Sequence, residues 1–143
     1  METHPHWCLT IQGNYAGLSE ATRQMRNFLK KQGQRDSLIY ALETTLEEIV
    51  TNAVKYGFAG ISEPHVRIEV GLQNGRVDLV IEDNAQPFDL TRVPEPDKNR
   101  SLEEMPIGGL GIHLVRSLTE GMAYTRTADY NRLRVSLPSE ESK

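Results

Sequence analysis

The chain has 143 residues, 38% of them hydrophobic and 25% charged, with a formal net charge of −4. That length suits one domain with a proper core, and the acidic balance offers no basic face to nucleic acid or an anionic membrane. Its single cysteine, Cys8, excludes an intrachain disulfide framework, and no apolar run approaches the roughly 18 residues that cross a bilayer. METHPHWC has neither the basic nor the apolar segment of a signal peptide. The expectation is a single cytoplasmic domain over residues 1–143, its core at about 7–138. His4 and His6 are read as part of a mobile tail rather than as a metal pair.

WCLTIQ, residues 7–12, suits a short strand. A helical pattern follows over about 18–31, with Leu18, Met25, Phe28 and Leu29 near one face; Gly33 ends it, after Lys30 and Lys31 in the last turn. Asp36 is a candidate N-cap for a second helix running to about Tyr56 and closed by Gly57. Val66, Ile68, Val70 and Leu72 alternate in one strand, and Val77, Leu79 and Ile81 in the next. Asn74-Gly75 between them predicts a two-residue hairpin. Residues 85–107 carry four prolines and many charges, which reads as a long loop, of a length that is usually either a functional lid (here about 90–107) or disordered. GGLGIHLVRSLTE starts a helix at Gly109, and two strands, near 122–127 and 132–137, close the domain. The order predicts an α+β fold: a two-layer sandwich with helices on one face of a mixed, mostly antiparallel sheet.

Three places put polar chemistry beside this core. On the second helix, Leu42, Leu46, Ile49, Ala53 and Tyr56 share a stripe, and Glu48 and Asn52, four apart, stand together on its flank; Glu47 points to water. The pair is either a solvated flank or a carboxylate base beside an amide oxygen suited to a hard cation. In EDNAQPFD, strand parity places Asp83 on the inward face with Val77, Leu79 and Ile81, where it either caps a turn or holds a ligand. In PIGGLGIHLVRS, Gly108, Gly109 and Gly111 free the backbone at a helix entry, a candidate anion site, while His113 is read as a packing residue. An acid–amide pair, an inward strand-end aspartate, a long loop and a glycine-rich helix entry, in that order, suit a nucleotide with magnesium under a lid.

At these motifs the chain resembles the GHKL ATPase superfamily, and within it the bacterial anti-sigma factor serine/threonine kinases of partner-switching modules. EEIVTNAVKYGF looks like the N box, EDNAQPFD like the first glycine-box region and GGLGIHLVRSLTE like the second. The resemblance implies that Asn52 ligates Mg²⁺ on the ATP phosphates and that Glu48 is the general base. It implies that Asp83 accepts the adenine amino group, and that Ala85, Phe88, Gly108, Gly109, Leu110 and Gly111 complete the nucleotide site. It further implies a kinase whose protein substrate is an anti-anti-sigma factor, which sequesters a sigma factor and forms a homodimer. Three positions depart from the family pattern. Ala85 stands where the first box carries glycine, Tyr56 where the sporulation-type kinases carry histidine, and Asn131-Arg132-Leu133 where better-known members have a Gly-Thr element. The alternative is a regulatory binding module of the same fold, with nucleotide as a structural ligand or absent.

Overall fold

The structure is a computed structural model and describes residues 4–89 and 120–139. The expected lid at 90–107, the entry formed by Gly108, Gly109, Leu110 and Gly111, and the helix that follows with His113 all lie outside the described residues. The described elements are β1 (His6–Gln12), α1 (Tyr15–Lys31), α2 (Asp36–Asn52), β2 (His65–Gln73), β3 (Arg76–Asp83), β4 (Gly121–Thr127) and β5 (Tyr130–Pro138). His6 is not tail: it opens β1, opposite Gly71 of β2.

Helix boundaries follow local chemistry. Asn14 is the N-cap of α1, its side chain accepting the Gly17 N–H at 2.7 Å, so the helix begins three residues before the predicted Leu18. At the other end Gly33 takes φ +73°, where the backbone turns left-handed. Its N–H bonds the Lys30 carbonyl and the Gln34 N–H bonds that of Leu29, the paired bonds of a Schellman stop. Arg35, not Asp36, holds the N-cap position of α2; Asp36 is the first helical residue, where a carboxylate still suits the positive helix end. Beyond Asn52 the helix continues as one π-turn, Ala53–Gly57, in which the Phe58 N–H reaches the Ala53 carbonyl at 2.8 Å. That widened turn moves Tyr56 off the apolar stripe, leaving it half-exposed rather than in the core.

The five strands form one sheet in the order β1-β2-β3-β5-β4, and every described pairing is antiparallel. Asn74 and Gly75 both have positive φ, 53° and 74°, and Gln73 pairs with Arg76, so the predicted hairpin turn is present. Alternation decides the two faces. Val66, Ile68 and Val70 of β2, Val77, Leu79 and Ile81 of β3, and Leu133, Val135 and Leu137 of β5 are buried with Met25, Leu29, Leu42, Leu46 and Val50 from the helices. The other face carries charged residues in cross-strand pairs, including Arg134–Asp78 at 3.1 Å and Arg67–Glu82 at 3.5 Å. Such exposed pairs contribute little to stability, so the fold rests on the single apolar layer between helices and sheet. Leu42 is fully buried in that layer. Leu42→Ala is therefore expected to destabilise the protein by about 2–5 kcal/mol, read as a lowered denaturation midpoint.

Candidate functional site

The C-terminal end of α2, with its π-turn, faces the ends of β3 and β5 across a cavity of about 250 Å³. Ile49 and Ala53 line it from the helix, Ile81 and Leu133 from the sheet, and Tyr124 from β4. Asp83, Ala85 and Phe88 line it from the end of β3 and the turn beyond. Its walls are mostly apolar with a few polar groups, the character of a small-molecule site. Its size is just below the roughly 300–1,000 Å³ of a full ligand pocket.

Asp83 is buried, 6% exposed, because an even-numbered offset from Val77 through Leu79 and Ile81 keeps it on the inward face of β3. Its Oδ1 accepts the Ala85 N–H at 3.1 Å and the Asn131 side-chain amide at 2.9 Å. Its Oδ2 accepts from none of the described residues. Turn-capping and ligand-holding were alternatives in the sequence, and the two oxygens divide them: one oxygen caps the turn and the other is left over. Burial pushes the Asp83 carboxyl above the usual aspartate range. The bonds from Asn131 and the Ala85 N–H, then the charges of Arg126 and His65, pull the other way.

Asn131 was visible in the sequence only as a departure from the family's Gly-Thr element, and its role was missed. The signal was present: Asn131, Leu133, Val135 and Leu137 share strand parity, so β5 brings Asn131 inward opposite Asp83. Its Nδ2 donates to Asp83 Oδ1 and, also at 2.9 Å, to the Gln86 carbonyl, with a longer shared contact to the Ala85 carbonyl at 3.3 Å. Its Oδ1 accepts the Tyr124 hydroxyl at 2.5 Å and the Phe88 N–H at 3.3 Å. Backbone acceptors on one side and a backbone donor on the other admit a single orientation of the amide. Arg126, also missed, donates to the Ala85 carbonyl at 2.9 Å.

Ala85, in the usual place of a glycine, leaves the cavity open. Its methyl lies against Gly57, where an added Cβ would come within 2.8 Å of it, and the Gln86 N–H bonds the Gly57 carbonyl at 2.8 Å. Room for the Ala85 methyl is thus provided by the glycine of the facing π-turn. Phe88 is half-exposed at the cavity mouth, with 50% of its surface free.

Glu48 and Asn52 lie one helical turn apart, as the 3.6-residue period requires, and the Asn52 Nδ2 donates to Glu48 Oε1 at 3.1 Å. Glu47 is exposed. Asn52 lines the cavity; Glu48 stands one turn back, half-buried and outside the lining. Burial raises the Glu48 carboxyl above the usual glutamate range, against the bond from Asn52 and the charge of Lys55, with Glu47 adding to the rise. With its amide nitrogen given to Glu48, Asn52 keeps an amide oxygen that accepts from none of the described residues. Among the described residues no three His, Cys, Asp or Glu side chains gather as a metal cluster. A lone neutral oxygen fits a hard cation that takes its remaining ligands from phosphates and water.

The family described as histidine kinase-like ATPase domain matches residues 11–137, nearly the whole chain and all three motif regions. The chain belongs to that family. Its fold also matches part of the structure of the RsbU and RsbW domains of Rv1364c from Mycobacterium tuberculosis. The TM-score is 0.69 at 18% identity, covering 97% of this chain and 33% of that one. The serine-protein kinase RsbW of Listeria monocytogenes is 32% identical over 83 residues, 55% of this chain and 53% of the relative. The serine/threonine-protein kinase BtrW of Bordetella bronchiseptica is 26% identical over 99 residues, 69% of this chain and 70% of the relative. The chain thus spans about half the length of the Listeria relatives it matches. No helix among the described residues is long and apolar enough to cross a membrane.

Proposed function

We propose that the chain is an ATP- and Mg²⁺-dependent protein serine/threonine kinase of the partner-switching kind. Its substrate would be an anti-anti-sigma factor, and in the unphosphorylated partner's absence it would hold a sigma factor. The observation that carries the reading is the cavity itself: an apolar slot lined by Asp83, with one carboxylate oxygen left over, on one side and by Asn52, bonded to Glu48 behind it, on the other. Names of the relatives as serine kinases support it.

In this reading the base of ATP lies between Ile49 and Ala53 on one side and Ile81 and Leu133 on the other, and Asp83 Oδ2 accepts its exocyclic amino group. Asn52 would hold Mg²⁺ through its amide oxygen; when bound, the ion neutralises phosphate charge. Glu48 has Oε1 engaged by Asn52, so Oε2 takes the proton of the acceptor hydroxyl. The acceptor's hydroxyl oxygen, so deprotonated, bonds the γ-phosphorus as that phosphorus loses its bond to the oxygen bridging the β- and γ-phosphates, releasing ADP. Positioning and one base supply the chemistry the chain contributes. Gly108, Gly109, Leu110 and Gly111 would complete the phosphate end.

Ligand binding to the native state alone raises stability by about 2.7 kcal/mol at a hundredfold excess over Kd. Melting with Mg²⁺ and ADP, against Mg²⁺ alone, is therefore expected to raise Tm by several degrees; no shift at millimolar ADP would overturn the nucleotide reading. Incubation with ATP, Mg²⁺ and candidate antagonist proteins, scored by intact mass, is expected to give a phosphate adduct on one of them. Stabilisation with no transfer to any acceptor would favour a regulatory module holding nucleotide as a structural ligand.

A further inference from the structure

We infer that Asn131 is the positioning residue of the base subsite: it orients Asp83 so that one carboxylate oxygen alone meets the ligand, and so sets selection for a purine bearing an exocyclic amino group. The inference rests on the nucleotide reading above and names a residue that reading does not need.

The case begins with saturation. Asn131 is buried, 7% exposed, and both of its amide hydrogens are engaged, as is its oxygen. It lines the cavity but has no donor or acceptor left to offer a ligand, so any part in recognising the base runs through Asp83. What it bonds is the polar frame on the sheet side of the subsite. It binds Asp83, the Gln86 carbonyl and the Phe88 N–H, which together fix the turn after β3, and Tyr124, which lines the cavity from β4.

Selection follows from the way the carboxylate is occupied. With Oδ1 held by Ala85 and Asn131, rotation of the Asp83 side chain would break two bonds, so Oδ2 keeps one direction. A fixed anionic acceptor favours an amino group and opposes a carbonyl oxygen in the same place. Adenine presents the first and hypoxanthine the second. A threonine in this position has one hydroxyl hydrogen; the asparagine has two donors and reaches both the carboxylate and the turn.

Asn131 also favours the anion electrostatically. Among the described residues the charged groups acting on Asp83 are Arg126 from β4 and His65 from β2; the cavity residues of α2 (Ile49, Asn52) are uncharged. Removing the amide leaves burial less opposed, so Asp83 holds its proton to higher pH and the acid limb of nucleotide binding moves up.

The test is calorimetric titration of the full chain with ADP and with inosine diphosphate, both with Mg²⁺, from pH 5 to 8, for wild type, Asn131→Ala, Asn131→Thr and Tyr124→Phe. Repeating the pH series on a His65→Gln background removes the histidine from the surroundings of Asp83. Wild type is expected to prefer ADP by about tenfold or more, the scale of one hydrogen bond to a charged acceptor. Asn131→Ala is expected to lose most of that preference and to shift the acid limb upward, with Asn131→Thr between the two. Tyr124→Phe, which removes a single bond to the Asn131 oxygen, carries the test if Asn131→Ala does not fold, and is expected to weaken the preference in the same direction. An Asn131 variant that binds both nucleotides more weakly by the same factor, with an unmoved acid limb, would reduce Asn131 to a structural role and overturn the inference. Wild type that binds neither nucleotide would instead overturn the reading on which it rests.

Discussion

Glu48→Gln is expected to lower phosphate transfer to a protein acceptor by about 10²–10⁴-fold, the range a positioned base supplies, while nucleotide affinity is little changed. Glutamine keeps the side chain's shape and the oxygen that accepts from Asn52, so the helix flank and the amide beside the cavity stay in place. What it loses is the capacity to take a proton. Burial raises the Glu48 carboxyl, so the wild-type rate should climb with pH through a limb above the ordinary glutamate range, as the base ionises. In the variant that limb should be absent. Initial rates with labelled ATP across pH 5 to 9, beside ADP titrations of the same preparations, read both effects. Transfer at the wild-type rate would remove Glu48 as the base.

The second large effect is expected at Asp83, and it has two opposite parts. Asp83→Asn should weaken ADP binding by about tenfold to a hundredfold, since a neutral amide replaces the charged acceptor. The apoprotein, by contrast, should be no less stable at pH 8 than wild type. Asparagine can still accept from the Ala85 N–H and from Asn131 through its oxygen. Wild type carries the burial of a carboxylate whose folded pKa is raised. Between the ordinary aspartate value and that raised value the native state binds more protons than the unfolded chain. Wild-type stability from this group is therefore full at low pH and lost as pH rises through the raised value. The variant's advantage should be present at pH 8 and shrink on acidification, which urea midpoints at several pH values would follow. Undiminished ADP affinity in Asp83→Asn would separate this carboxylate from nucleotide recognition. A fall in both affinity and stability would mean that the charge is stabilised in place rather than held against a cost.

Both predictions use features that local periodicity made legible. A helix repeats every 3.6 residues wherever it packs, so Glu48 and Asn52 had to meet on one flank and Glu47 had to leave it. A strand alternates in the same way, and Asp83 had to follow Val77, Leu79 and Ile81 inward. The Asn74-Gly75 turn needed only its own two positive φ angles. Where such local rules were applied at an element's end they slipped. Asp36 gave its cap position to Arg35, and Tyr56 left the core at a π-turn that no spacing announces.

The family pattern marked Ala85 and Asn131 as departures, and only three dimensions show what each touches. The Ala85 methyl is accommodated by a glycine in the facing helix end, Gly57, and nothing in EDNAQPFD records that neighbour. Asn131 meets Asp83 across 48 positions of sequence, and Arg126 meets the Ala85 carbonyl across 41. By itself the sequence determined which residues face inward, because direction along a helix or strand is a property of a few consecutive residues. The tertiary structure decided which inward groups satisfy one another, because that depends on the register of β5 between β3 and β4. Register is set by the packing of the whole apolar layer, and a buried polar group takes the partner that this packing brings within hydrogen-bond reach.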